Sequence, residues 1–127
     1  MSDAQQDPRA AQTLAIIRKM DDAISRRDLE AMMALVTDDI VWDTTTPPDG
    51  ERHVGRAAVR EAGEAFFTSS AEATFESEEL VALGDRAIQR WLYRWIDQSG
   101  KAGHVRGVDI FRVRNGKVAE IFSYVKG

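Results

Sequence analysis

Apolar residues recur at helical spacing near the start of the chain. Leu14, Ile17, Met20 and Ile24 form one stripe ending at about residue 26. Asp7-Pro8 predicts its start, with Asp7 as N-cap and Pro8 at the first helical position, where a missing N–H costs nothing. Asp28 can cap a second, shorter helix carrying Leu29, Met32, Met33, Leu35 and Val36, with Thr37-Asp38-Asp39 as the turn that ends it. Residues 40–44 have the β-branched and aromatic content of a strand. Residues 45–54, with Pro47-Pro48 and Asp49-Gly50, read as loop. Ala58, Val59, Ala62, Phe66 and Phe67 then restore a helix from Gly55 to about Ser69-Ser70.

Beyond residue 72 the pattern is all strand. Four segments, at 73–83, 86–97, 103–114 and 117–125, are divided by Gly84-Asp85, Gln98-Ser99-Gly100 and Asn115-Gly116. The last is a strong two-residue hairpin signal. Short turns imply antiparallel neighbours, and helices gathered early must cover one face of the sheet. An α+β fold is therefore expected, with three N-terminal helices on a curved antiparallel sheet. The polar stretch before Arg9 reads as a disordered lead-in, and residues 9–127 as one domain.

Charge and composition remove several functions. The formal net charge is -4, with 17 basic against 21 acidic residues, whereas a nucleic-acid binder needs a cationic surplus. Cysteine is absent, which excludes disulfides and thiolate chemistry and accords with a cytoplasmic protein. No run nears the roughly 18 apolar residues of a membrane span, and the acidic, polar N-terminus is unlike a signal peptide. His53 and His104 stand alone, without the spaced acidic partners of a metal site. Neither a G-x-S-x-G elbow nor a phosphate loop is present, so no metal and no cofactor is expected.

Particular residues add a resemblance. Asp28-Leu29-Glu30-Ala31-Met32 leads into Thr37-Asp38-Asp39-Ile40-Val41-Trp42-Asp43, and His53-Val54-Gly55-Arg56 opens the third helix. Val108-Asp109-Ile110-Phe111-Arg112-Val113 then runs into Asn115-Gly116-Lys117-Val118. In this order they resemble the nuclear transport factor 2-like superfamily, which includes ketosteroid isomerase, limonene epoxide hydrolase and SnoaL-type polyketide cyclases. The resemblance spans about residues 10–127. It implies a cone-shaped, cystatin-like roll with a pocket for a small hydrophobic molecule between sheet and helices. It also implies a homodimer through the convex sheet face. The fold alone does not fix a function.

The resemblance places Asp43 at the position of a catalytic carboxylate and Asp109 at that of a second one, which donates a hydrogen bond to a developing oxyanion. Asp43 would then act as base in an isomerase or cyclase. The rival readings are a non-catalytic binding module and a protein-interaction module with a filled cavity. Independently of family, Asp109 lies among Gly107, Val108, Ile110, Phe111 and Val113, and a carboxyl buried there is costly unless neutral, bonded or paired, for example with Arg90 or Arg94. Strand alternation puts Gly107 and Phe111 on the Asp109 side, and the resemblance adds Ile121, Ser123 and Val125 from the last strand. Trp42 and His53 are candidate contacts at the pocket mouth, with Met20 and Phe66 on its helical wall. Met20, Val36 and Gly63 stand where ketosteroid isomerase has tyrosines. Ser123 and Arg90-Trp91-Leu92 stand where limonene epoxide hydrolase has an acid and an Arg-x-Asp. Neither of those two activities is implied. Which face carries Trp91, Tyr93 and Trp95 is open at this stage.

Overall fold

The computed structural model describes residues 7–126, so most of the expected lead-in lies outside the described residues. Helix α1 spans Pro8–Ser25, and the Asp7 side chain accepts from the Arg9 N–H at 3.0 Å as its N-cap. Its stripe of Ala10, Leu14, Ile17 and Met20 is buried, and the Thr13 hydroxyl bonds the Gly84 carbonyl at 2.7 Å, fixing the helix to the sheet. Helix α2, Leu29–Met33, begins at Asp28, whose carboxylate accepts from the Ala31 N–H at 3.0 Å. Helix α3 spans Arg56–Thr68.

Six strands form one curved, unclosed sheet: β1 Val36–Asp43, β2 Arg52–Val54, β3 Glu72–Leu83, β4 Arg86–Ile96, β5 Ala102–Arg114 and β6 Lys117–Val125. Their spatial order is β2-β1-β6-β5-β4-β3. The β3 to β6 meander has the expected short turns, with Asn115 and Gly116 both at positive φ, as a twisted hairpin requires.

Three features differ from the sequence expectation. Strand β1 pairs in parallel with β6, so the sheet is mixed; the two are separated by nearly the whole chain, and no tight turn dictates their direction. The supposed loop contains β2, which pairs antiparallel with the end of β1. Its return is set by Gly50 at φ 77, where a β-carbon would meet the Thr44 carbonyl oxygen at 2.2 Å. Finally, Thr37-Asp38-Asp39 is not a turn after α2 but an irregularity inside β1, whose register to β6 shifts between Val36 and Val41.

Register assigns the faces. Trp42 pairs with Ile121, Ile121 with Phe111, and Asp109 with both Ser123 and Gln89. Gln89, Trp91, Tyr93 and Trp95 occupy every second position of β4 and share this concave, helix-covered face. The opposite, convex face carries Arg-Glu pairs such as Arg90–Glu79 at 2.7 Å and Arg106–Glu78 at 3.1 Å.

Candidate functional site

Asp109 sits mid-strand on β5, facing the helices. Its Oδ1 is buried without a hydrogen-bond partner, although the residue as a whole keeps some exposed surface. Neither Arg90 nor Arg94 reaches it, because both lie on the convex face and hold Glu79 and Glu76. Desolvation therefore dominates and pushes its pKa up to about 6, while the Ser123 hydroxyl and Trp91 indole N–H pull it partly back. The indole acts from nearby without closing a hydrogen bond, since Trp91 Nε1 is itself buried and unpartnered.

A second carboxyl faces the same place. Asp21 on α1 is half-buried, and its pKa is also pushed up to about 6, by burial first and by the charge of Asp109 among the lesser causes. Gln89 links the two. Its Nε2 donates to Asp21 Oδ2 at 2.6 Å and to Ser77 Oγ at 3.0 Å, while its backbone is the direct cross-strand neighbour of Asp109. Gln89 Oε1 is buried without a donor, as Asp109 Oδ1 is without a partner. Burial of Asp109 with one oxygen unpartnered disfavours its charged form, which is the physical reason it holds its proton to about pH 6.

Above this polar cluster lies an aromatic wall. Phe66 packs on Tyr93 at 5.2 Å and edge-on to Trp42 at 6.5 Å, and Tyr93 stacks on Trp95 at 5.8 Å. Trp91 and Trp95 fit because each covers a glycine directly across the ladder, Gly107 and Gly103. The hollow left at the α1–α3–sheet junction is about 10 Å³, room for roughly one water, and is lined by Ile24, Arg27, Phe66, Phe67 and Tyr93 among others. A larger groove of about 450 Å³ opens to solvent at the far ends of β3, β4 and β5, away from both carboxyls.

The other expected site residues divide. Trp42 and His53 are cross-strand neighbours on the concave face, their rings 6.1 Å apart. Ser123 lies opposite Asp109, and Val125 opposite Gly107, which is roofed by Trp91 rather than open. Met20 and Phe111 are buried in the hydrophobic core, and Ile121 packs against it. Asp43 must be corrected. It follows Trp42 in the strand and so faces the other way, where Arg52 grips its carboxylate through two bonds of 2.7 and 2.9 Å. That guanidinium lowers the Asp43 pKa, which suits an ion pair rather than a base. Asp43→Asn is therefore expected to leave the thermal unfolding midpoint and any ligand response nearly unchanged; loss of a ligand-induced shift in that variant would contradict this placement.

The acid that joins Asp109 is Asp21, and a signal for it exists. Positions 14, 17, 21 and 24 form one helical stripe, Leu14-Ile17-Asp21-Ile24, in which a carboxylate occupies an apolar place. Gln89 interrupts the apolar face of β4 in the same way, between Ala87 and Trp91.

This architecture has known counterparts. The SnoaL-like domain family matches residues 17–121, more than half of the chain. The chain belongs to the SnoaL-like family. An NTF2-like protein of unknown function from Mesorhizobium loti is similar to it at 38% identity, over 95% of this chain and 96% of that one, with a TM-score of 0.80. A putative ketosteroid isomerase from Kribbella flavida is 23% identical over 93% and 80% of the two chains, with a TM-score of 0.79. A putative polyketide cyclase from Xanthomonas campestris is 21% identical over 93% of each, also at 0.79. The last two are alike in fold alone. No curated protein matches the chain. In this SnoaL-like domain, no helix among the described residues is long and apolar enough to cross a membrane.

Proposed function

We propose that this SnoaL-like domain binds a small apolar organic molecule on its concave side and acts on it as a cofactor-free isomerase or cyclase, with Asp21 and Asp109 as the acid–base pair. The observation that carries this reading is two carboxyls with raised pKa values, electrostatically coupled and joined through Gln89 under an aromatic wall. With both pKa values pushed up to about 6, the two carboxyls hold on average about one proton between them near that pH. Asp109, the more enclosed, keeps the proton and donates to a developing oxyanion. Asp21, nearer solvent, takes a proton from carbon. Entry of a ligand requires Phe66 and Tyr93 to separate, because the existing hollow admits only about one water.

The test is a thermal-shift screen of hydrophobic ketones and polyketide-like compounds, followed by turnover assays on the hits; a native-state ligand raises the unfolding midpoint. Turnover should show a bell-shaped pH profile with limbs on either side of 6 and fall by at least about 100-fold in Asp21→Asn and in Asp109→Asn. Full turnover in either variant removes the pair from the mechanism. The filled hollow favours a second reading, a non-catalytic binding or interaction module, which predicts that no compound on the concave side is ever turned over.

We also propose a homodimer through the convex face. Val81, Ile88, Ile110 and Phe122 form one row across β3, β4, β5 and β6, with Ile88 47% exposed and the nearby Tyr124 56% exposed. An apolar row flanked by arginines suits a protein interface. Sedimentation should give twice the 14.2 kDa chain mass, and Ile88→Glu should return it to a single chain; a single-chain mass for the unaltered protein at tens of micromolar would refute the dimer.

A further inference from the structure

Arg27 occupies an unusual backbone position. It follows the end of α1 at φ 52, a left-handed conformation that a long side chain adopts only at a cost and glycine adopts freely. The backbone there closes the helix, with the Arg27 N–H donating to the Ile24 carbonyl at 3.0 Å and the Asp28 N–H to the Ala23 carbonyl at 2.9 Å. A glycine would serve that turn, so the arginine side chain calls for a separate explanation.

The side chain reaches the connection between α3 and β3, where Nη1 donates to the Ser70 carbonyl at 3.1 Å. Nη2 is buried and has no acceptor. Among the described residues no carboxylate pairs with this guanidinium, whereas its neighbour Arg26 holds both Asp22 and Asp28. An arginine stays charged at any accessible pH and prefers a planar pair of oxygens. A buried donor without an acceptor carries a desolvation penalty that an arriving oxygen relieves. The free Nη2 belongs to a residue that lines the small hollow between Ile24, Phe66, Phe67 and Tyr93. The hollow has room for about one oxygen atom and is walled mainly by apolar and aromatic groups.

We infer that Arg27 anchors a carboxylate of the ligand, so that the molecule taken up beneath the sheet is an organic acid with an apolar, ring-containing body. A neutral carbonyl would satisfy the buried Nη2 but leave the charge of this half-buried guanidinium unpaired; a carboxylate does both. The aromatic wall of Phe66, Tyr93 and Trp42 meets the body, and the acid group stays at the Arg27 end, just past the C-terminus of α1. This inference rests on the concave-side binding proposed above and names the substrate class.

The experiment compares 2-naphthoic acid with its uncharged counterpart 2-naphthamide by titration calorimetry at pH 7.5, on the intact chain. The unaltered protein should bind the acid at least tenfold more tightly. Arg27→Gly, which relieves the left-handed strain and so keeps the fold, should bring the two affinities together. Arg27→Lys should retain a part of the preference. Equal binding of acid and amide by the unaltered protein, or a preference that survives in Arg27→Gly, overturns the anchor while leaving concave-side binding intact. Failure of both compounds and of the wider screen to bind any variant overturns concave-side binding itself, and the anchor with it.

Discussion

Asp109→Asn should stabilise the protein at pH 8 and do much less at pH 4. The native carboxyl holds its proton to about 6, against a usual value of 3.8, because burial disfavours its charge. An unfolded chain releases that proton near 4. Between these values the native state binds more protons than the unfolded state, so stability falls as pH rises, and above 6 the penalty of the ionised group is complete. Two pKa units correspond to about 3 kcal/mol, an upper value at pH 8, and most of it is gone at pH 4, where the native carboxyl keeps its proton. Asparagine has nearly the same shape and no charge to bury. The change should lower the pKa of Asp21 as well, since the Asp109 charge is one of the causes that raise it. Urea denaturation at the two pH values, with carboxyl carbon NMR of Asp21, measures both effects. Destabilisation at pH 8 would mean that the carboxylate has a native partner. A variant that is more stable and inactive is the pattern expected where function requires an ill-solvated group.

The fold was legible wherever local chemistry decides local structure. Asp7-Pro8, Asp28 and Asn115-Gly116 mark caps and a hairpin through bonds made within a few residues. The parallel pairing of β1 with β6 involves residues far apart in the chain, and no neighbouring residue encodes it. Asp43 was placed by the resemblance alone, whereas the register of β1 decides the face on which it lies. Thr37-Asp38-Asp39 carries genuine turn chemistry, but the sheet uses it as an irregularity within β1, with Asp38 and Asp39 exposed. Such a shift changes which residues point inward, and a slip of one residue exchanges the faces of everything that follows. Asp43 accordingly falls outside and Trp42 inside. On β5, with alternation unbroken from Ala102 to Arg112, the apolar neighbours of Asp109 signalled its burial, while the resemblance supplied its inward direction. Asp21 and Gln89 were visible as polar breaks in apolar stripes, but their meeting depends on the angle at which α1 crosses the sheet.

Gly107→Ala should be among the most damaging single-methyl changes available in this chain. A β-carbon at 107 would lie 2.4 and 2.6 Å from ring atoms of Trp91 and 2.5 Å from the Tyr124 carbonyl oxygen. The carbonyl belongs to the β5–β6 ladder and cannot retreat without disturbing it, so the indole must swing away. Overpacking of this kind costs roughly 1–3 kcal/mol, and a blocked backbone on one side argues for the upper end. Gly63→Ala provides the control. There the new methyl would meet Met32 Cε at 2.6 Å, the far end of a flexible side chain, so the cost should be smaller. The effect should also reach the site. Trp91 is one of the two groups that pull the Asp109 pKa down, and displacing it leaves desolvation less opposed. Asp109 should then titrate at a higher pH in Gly107→Ala, and tryptophan emission should shift as the ring leaves its glycine. Equal stability losses for the two alanine variants, with Asp109 titrating as before, would show that Trp91 is free to move and does not hold the carboxyl's surroundings in place.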